Sequence, residues 1–516
     1  MDRRRRWRTR WALALVAGVL APFLVPEVVP SVEALAPCGA EDMPETGIRG
    51  DVPLADQISG RADSGYNCGL ALVGYSSLGG RGGNANMAWS GDCAYIAGDG
   101  VAVVDAGDPA NPQHVTTLHG PGSEDTLETL DAVDAPGRHL LATGLYGLIG
   151  FAGQTGTAPV DLWDVTDCAH PRLITTLQFP GNVHNLTFSA DGKRLWSTLP
   201  LQAMDLTDLA HPVLLPNIES QLAASGHFKF QYAHEAVPSA DDTRLYVGDQ
   251  LDVMGESLLV IDTTDWPNQP ARVIGSAPLP GHSINIATIG GKPFLLSSDE
   301  SIANPTAKGC LPDLLTPFGG VARPALTDLS NEDLPRTRSE LSLPINDLGH
   351  CVDEVVSMVN ASVHYHDVDD PDDTTFAMTS MWNAGLRIWD VRDPYHPEEV
   401  AYFNPGRFAG SSINADPAEL GLGTLLGLAS ANGLDQAWAH VRYREDTGHI
   451  WLTTASGGFW VLELEPQVRA ALDLPARPAV HPNGAAPRPP ATRVTIGAAN
   501  ASLMATYCVI NSTLPL

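Results

Sequence analysis

Basic side chains are scarce in this chain. Across 516 residues, 30 Lys and Arg stand against 60 Asp and Glu, a formal net charge of −30. So acidic a surface repels phosphate backbones and anionic headgroups, which argues against nucleic acid and anionic membranes as partners. The apolar run Ala12–Val25 falls short of the ~20 residues a membrane-spanning helix needs. Catalytic signatures are missing too: there is no nucleophile elbow, Walker loop, H-E-x-x-H or dinucleotide fingerprint. No two of the 7 Cys sit in C-x-x-C spacing, which removes the commonest thiolate zinc motif. Their odd number leaves at least one without an intrachain partner.

What the chain does contain is one phrase repeated six times: an apolar pair, an Asp, a second Asp or Asn three residues on, then a Pro. The copies are Val103-Val104-Asp105 with Asp108 and Pro112, Leu162-Trp163-Asp164 with Asp167 and Pro171, and Ala203-Met204-Asp205 with Asp208 and Pro212. The next are Val260-Ile261-Asp262 with Asp265 and Pro270, a looser Leu326-Thr327-Asp328 with Asn331 and Pro335, and Ile388-Trp389-Asp390 with Asp393 and Pro397. Copies begin roughly 40–65 residues apart, the period of a propeller or solenoid. The apolar pair is β-prone, the Asp carboxylates can bond nearby amides and close a turn, and the Pro suits the start of an outer strand. Reading the acids as calcium ligands is weaker, because the alternating oxygens and turn Gly of a calcium loop are missing.

Two further strands precede most copies. His184–Ser189 and Arg194–Thr198 flank Asp191-Gly192, and His234–Ser239 and Arg244–Gly248 flank an Asp-rich turn. Four strands per repeat make a propeller blade. A seventh unit runs from Ala439 to Glu463 without a clear fourth strand, and Leu70–Gly79 has the pattern of an outer strand with nothing before it. Pairing the two would close the ring and remove two free edges. The glycine-rich Gly79–Gly83 then reads as a closure loop. The expectation is an all-β, seven-bladed propeller over residues 68–465. Residues 1–36 read as a signal peptide, 37–67 as a lead segment, and 466–516 as a Pro/Ala-rich linker with an apolar tail.

The phrases Val-Ala-Val-Val-Asp105, Leu-Leu-Val-Ile-Asp262 and Leu-Arg-Ile-Trp-Asp390 resemble the LVIVD-repeat family of bacterial β-propellers. The resemblance covers most of the chain and implies the fold, with no biochemical activity attached. A more distant similarity is to the selenium-binding protein and methanethiol oxidase propellers.

The first 36 residues have the layout of a secretory signal: Arg3–Arg6, Arg8 and Arg10, then an apolar stretch, then small residues at Ala34 and Ala36. Leu35-Ala-Pro-Cys38 resembles a lipoprotein box, with Pro37 in place of a small residue. The location implied is secreted or cell envelope, where disulfides persist. Cys310 and Cys351 flank an expanded stretch of the fifth repeat and form the first expected disulfide; Cys68 with Cys93 is a second. Asp367, Asp369, Asp370, Asp372 and Asp373 crowd what reads as a solvated hairpin turn, or else a weak cation site.

One constellation carries chemistry. His184, His234, His282, His364 and His440 each open the first strand of repeats three to seven, and first strands are innermost in a propeller. Repeats one and two have Ala85 and Thr129 near this point. Each His could bond a neighbouring blade, as Gly281-His282 suggests, or several could bind copper, zinc or iron. Glu235 and His366 would then support the ligands from behind. Two functions follow. The first is a non-catalytic, monomeric binding scaffold for a protein or small-molecule ligand. The second is a metal-dependent oxidoreductase working at the channel mouth.

Overall fold

In the computed structural model, seven antiparallel sheets of four or more strands form a β-propeller. It describes residues 38–478 except 82, 146–155, 225–232, 250–257, 278–280, 299–322, 347–360, 362 and 407–434. Blade 1 runs outward through Met87–Ser90, Cys93–Ile96, Val101–Asp105 and Gln113–Leu118. The innermost strands of blades 2 to 7 are Leu130–Ala135, Leu186–Phe188, Ala233–Pro238, Ser283–Ile289, His366–Val368 and Arg442–Arg444. Innermost strands of blades 1 to 6 touch in succession.

The repeated phrase builds the corner between the third and fourth strands. The first Asp of each copy accepts the backbone N–H two residues on: Asp105 from Gly107 at 2.9 Å, Asp164 from Thr166 at 3.0 Å, Asp205 from Thr207 at 2.8 Å, and Asp390 from Arg392 at 3.0 Å. The second Asp does the same, as Asp208 does with Ala210 at 2.9 Å. The carboxylates thus close turns, as expected from short polar side chains that mimic a backbone turn. A β-bulge falls beside the apolar pair in five blades, for example between Val103 and Val104 and between Ile388 and Trp389. A bulge sharpens local twist, which a blade needs between axis and rim. Buried Trp163 and Trp389 satisfy their indole N–H on Thr143 and Thr379 of the second strand.

Closure follows the expected route. Leu70–Ser76 pairs antiparallel with Phe459–Leu464, from Leu70 opposite Leu464 to Ser76 opposite Phe459. The strand ends there; Leu78–Gly80 turns in a short 3-10 segment instead of extending it to Gly79. Behind it, Arg81 reaches the carbonyls of Ile96, Ala97, Asp99 and Gly100, so the glycine-rich loop caps blade 1.

The ends hold more structure than the sequence suggested. Tyr66–Cys68 adds a fifth strand to blade 6 beside Glu398–Asn404. The helix Pro466–Ala471 buries Val468, and Leu472 follows, in the core shared by blades 6 and 7, so packing continues past residue 465. Cysteine pairing corrects the expected Cys68–Cys93 bridge. Cys68 joins Cys38 and Cys93 joins Cys168. The first bridge engages the sulfur that a lipoprotein-box reading of Cys38 requires free. The second ties blade 1 to the blade 2 corner. The expected Cys310–Cys351 bridge lies outside the described residues.

The lead segment is fastened to blade 6 by buried charge. Arg387, fully buried, pairs with Glu45, meets Glu399 at 3.0 Å, donates to the Ala384 carbonyl and lies over the Tyr402 ring. Burial opposes its charge, but Glu45 and Glu399 outweigh burial and hold it protonated. Removing one partner from such a network strands the others in a low-dielectric site. Arg387→Ala is therefore expected to cost about 3–5 kcal/mol, measured by urea unfolding. Glu45 should then release the lead segment to limited proteolysis before the propeller unfolds.

Candidate functional site

Inner strands open near the channel axis, and their backbone bonds fix which residue faces it. In blade 3 His184 donates its N–H to the Thr198 carbonyl while Thr198 donates back to Asn185. In blade 6 His364 and Tyr365 stand in the same relation to Ser380. In blade 1 the pattern falls on Ala85 and Asn86 with Ala97, as the sequence indicated. In blade 2 Gly144 donates to the Thr129 carbonyl, and the Thr129 hydroxyl bonds back to Gly144. Thr129 thus corresponds to Asn185 and Tyr365. The residue level with His184 and His364 is Glu128. This corrects the sequence alignment by one position and supplies a carboxylate to the ring.

Glu128 is buried among imidazoles. Its Oε2 lies 3.4 Å from His184 Nε2 and 3.3 Å from His234 Nε2; its Oε1 lies 3.0 Å from His364 Nε2. His282 completes the arc, its ring centroid 3.7 Å from that of His234 and 4.7 Å from that of His364. Glu128 with His184 and His234, and Glu128 with His282 and His364, form two sets whose donor atoms lie within 4.8 Å of one another. All five side chains are almost wholly buried.

The outward-facing ring nitrogens fix the tautomers. His234 Nδ1 lies 2.9 Å from the His282 carbonyl and His364 Nδ1 lies 2.5 Å from the Trp438 carbonyl. A carbonyl only accepts, so both Nδ1 atoms carry hydrogen. These are the blade-to-blade bonds of the structural reading. They also leave each Nε2 presenting either a lone pair or an added proton toward Glu128. Two neutral imidazoles and a carboxylate facing one point would repel; a cation between them converts the repulsion into coordination. Metal bonds of about 2.0–2.2 Å place neighbouring donors ~2.9–3.5 Å apart, the spacing found around Glu128.

Without an ion, added protons on the Nε2 atoms of His234 and His364 would pair with the same carboxylate. Burial alone would raise the Glu128 carboxyl, but His234 and His364 outweigh it and hold it well below its ordinary range. Burial, reinforced by His234, depresses His184 and His282 well below the usual imidazole value, so both are neutral at pH 7.

His440 stands apart. In blade 7 the Trp438 indole lies 5.7 Å from the His364 ring, with its N–H on the Asn84 carbonyl. His440, two residues on, stacks on Tyr365 at 4.0 Å and approaches Glu235 at 3.8 Å. His366 bonds Asn285. Burial pushes His440 down to about 4, His366 down to about 3 and Glu235 up to about 8. Of the five expected ligands, four meet at Glu128, and His440 joins Glu235 in the adjoining channel. Another group, Cys38, Asp42 and Cys68, has both sulfurs in a disulfide and Asp42 on the amides of Gly39 and Gly69, so it is structural.

No family model matches the chain, and no curated protein matches it. Solved structures do match. One is the β-propeller domain of Cps50 (Swd1) from Myceliophteria thermophila, 13% identical, with a TM-score of 0.45, covering 74% of this chain and 97% of that one. Likeness at that level bears on nothing beyond the propeller shape.

The acidic hairpin divides in two. Asp369 and Asp370 close the turn on the amides of Thr375 and Asp372, whereas Asp367 leaves it for the innermost strand and lines the channel. Asp131 lines the channel from blade 2. Burial pushes both up to about 7. A carboxyl raised from 3.8 to about 7 on folding stabilises the protein fully below pH 3.8 and loses that contribution as pH rises through 7. Asp131→Asn removes the loss. Between pH 5 and 7 the variant should gain about 1–2 kcal/mol relative to the parent, read from urea unfolding at the two pH values. Parallel curves for the two proteins would refute the assignment.

Proposed function

We propose that this chain is an exported LVIVD-type propeller that holds a transition-metal ion on Glu128 with His184, His234, His282 and His364, and acts as a metal-dependent oxidoreductase. The observation carrying this reading is the convergence of the Nε2 atoms of His234 and His364 on Glu128 while both Nδ1–H groups are anchored to backbone carbonyls. Anchored second nitrogens and converging first ones are the pattern of imidazoles held ready for metal. Imidazole and carboxylate without thiolate suit iron, copper or zinc. Two overlapping sets of two His and one carboxylate favour iron within that group, since this donor set with open positions serves non-haem iron oxygen chemistry. The ion would supply Lewis acidity or electron transfer. Glu128 would offset its charge, and the blade-to-blade bonds would fix the ring orientations.

The scaffold reading draws on the propeller architecture and makes Glu128 a buried ion-pair partner that ties the blades together through His234 and His364. Export is supported by two disulfides and by the absence, among the described residues, of any helix long and apolar enough to cross a membrane.

The test is elemental analysis of purified protein with thermal unfolding. One iron, copper or zinc per chain is expected, lost in Glu128→Gln and His364→Ala. Chelation should lower the Tm of the parent by several degrees and leave that of the variants unchanged, because the ion binds only the folded state. Metal-free protein that takes up none of the three refutes the centre.

A further inference from the structure

The innermost strands of blades 1 to 6, with His440 of blade 7, line one cavity of about 310 Å³ beside Glu235. It lies along the inner strands whose openings carry Glu128 and the four imidazoles. Its walls are mixed. Met87, Trp89, Leu130, Leu186, Ile284 and Ile286 give apolar surface, and Asp131, Glu235 and Asp367 give carboxyls. Among the described residues, neither Lys nor Arg lines it. The Arg442 guanidinium, whose charge acts on Asp367, donates to the Gly91 carbonyl and lies over the rings of Trp89 and Trp451. His440, held neutral by burial, brings no competing positive charge.

We propose that this channel binds a small organic cation, a primary amine on a short apolar chain, with Asp131 and Asp367 receiving the ammonium. Both carboxylates line the cavity. Asp367 spends Oδ1 on the amides of Val368 and Asn285, and Asp131 spends Oδ2 on the Phe188 amide at 2.7 Å. A carboxylate has about four acceptor positions, so each retains capacity for an ammonium N–H. Burial raises both acids, and a bound cation offsets that penalty where water does not. A carboxylate ligand would meet three acids and no basic partner. A neutral alcohol would gain the apolar contacts and forgo the charge. The volume lies at the small end of ligand pockets, about 300–1,000 Å³, which limits the chain length. The inference rests on the metal reading only for what the ligand would reach; binding itself needs no ion.

The experiment is calorimetric titration of the full chain, freed of metal with a chelator, at pH 7.5 with hexylamine, 1-hexanol and hexanoate. Hexylamine should bind one to one, about ten-fold or more tighter than 1-hexanol, and hexanoate should give no saturable heat. Asp367→Asn should reduce the preference for amine over alcohol to about two-fold, at an unchanged near-ultraviolet circular dichroism spectrum. If that variant fails to fold, the three-ligand series on the parent decides alone. Equal binding of amine and alcohol, or no saturable binding of hexylamine, overturns the proposal. Metal uptake is read on separate samples, so amine binding without metal uptake sustains this inference and refutes only the reading of the centre.

Discussion

Everything in this molecule depends on one pairing, that of Leu70–Ser76 with Phe459–Leu464. A propeller blade is twisted and leaves no free edge only when the ring is complete. With the ring closed, seven innermost strands surround one axis and residues at equivalent levels face each other across it. Without closure, blades 7 and 1 would part. The hydrogen bonds joining them, from Asn84 to the Thr454 carbonyl and from the Trp438 indole to the Asn84 carbonyl, would be lost. Trp438 also provides the carbonyl that fixes the His364 ring, so the seam and the Glu128 cluster share a residue.

Symmetry explains what the centre contains. A repeat delivers the same backbone geometry seven times, so any side chain at the strand opening reaches the axis. Blades 3 to 6 place His there, blade 2 places Glu128, blade 1 has the small Ala85 and blade 7 the indole of Trp438. The departures from the repeat therefore carry as much meaning as the repeat itself. Four imidazoles around one carboxylate form a mixed donor set.

The architecture was legible because its signal is local and redundant. An Asp two residues before the amide it caps leaves the same trace each time, and Asp105, Asp164, Asp205 and Asp390 all do what their spacing suggested. The centre was legible only to within one residue. Thr129 and Glu128 are adjacent, and nothing in Leu-Glu-Thr-Leu says which of them bonds the second strand; the bond that the Gly144 N–H donates to the Thr129 carbonyl decides it. His440 shows the opposite error. It stands two residues before its inner strand, as His184 and His364 do, yet its ring lies against Tyr365 and beside Glu235 instead of meeting Glu128. Tyr66–Cys68, three residues long and buried throughout, has no alternation to reveal it as a strand. Cysteine partners, too, depend on which loops meet in space, as Cys93 and Cys168 do across 75 residues.

The closing strand has a consequence for the order of assembly. The Tyr75 hydroxyl bonds the Gly457 carbonyl across 382 residues of sequence. A strand made near the start of the chain is therefore paired last. During synthesis or translocation Leu70–Ser76 must wait, its backbone groups open, until almost the whole propeller has emerged. Contacts of such sequence separation slow folding and prolong the life of open-edged intermediates. The Cys38–Cys68 bridge lies just before that strand and links two stretches only 30 residues apart. It can form early, so an oxidising compartment would give the waiting strand a covalently restrained base long before its partner arrives.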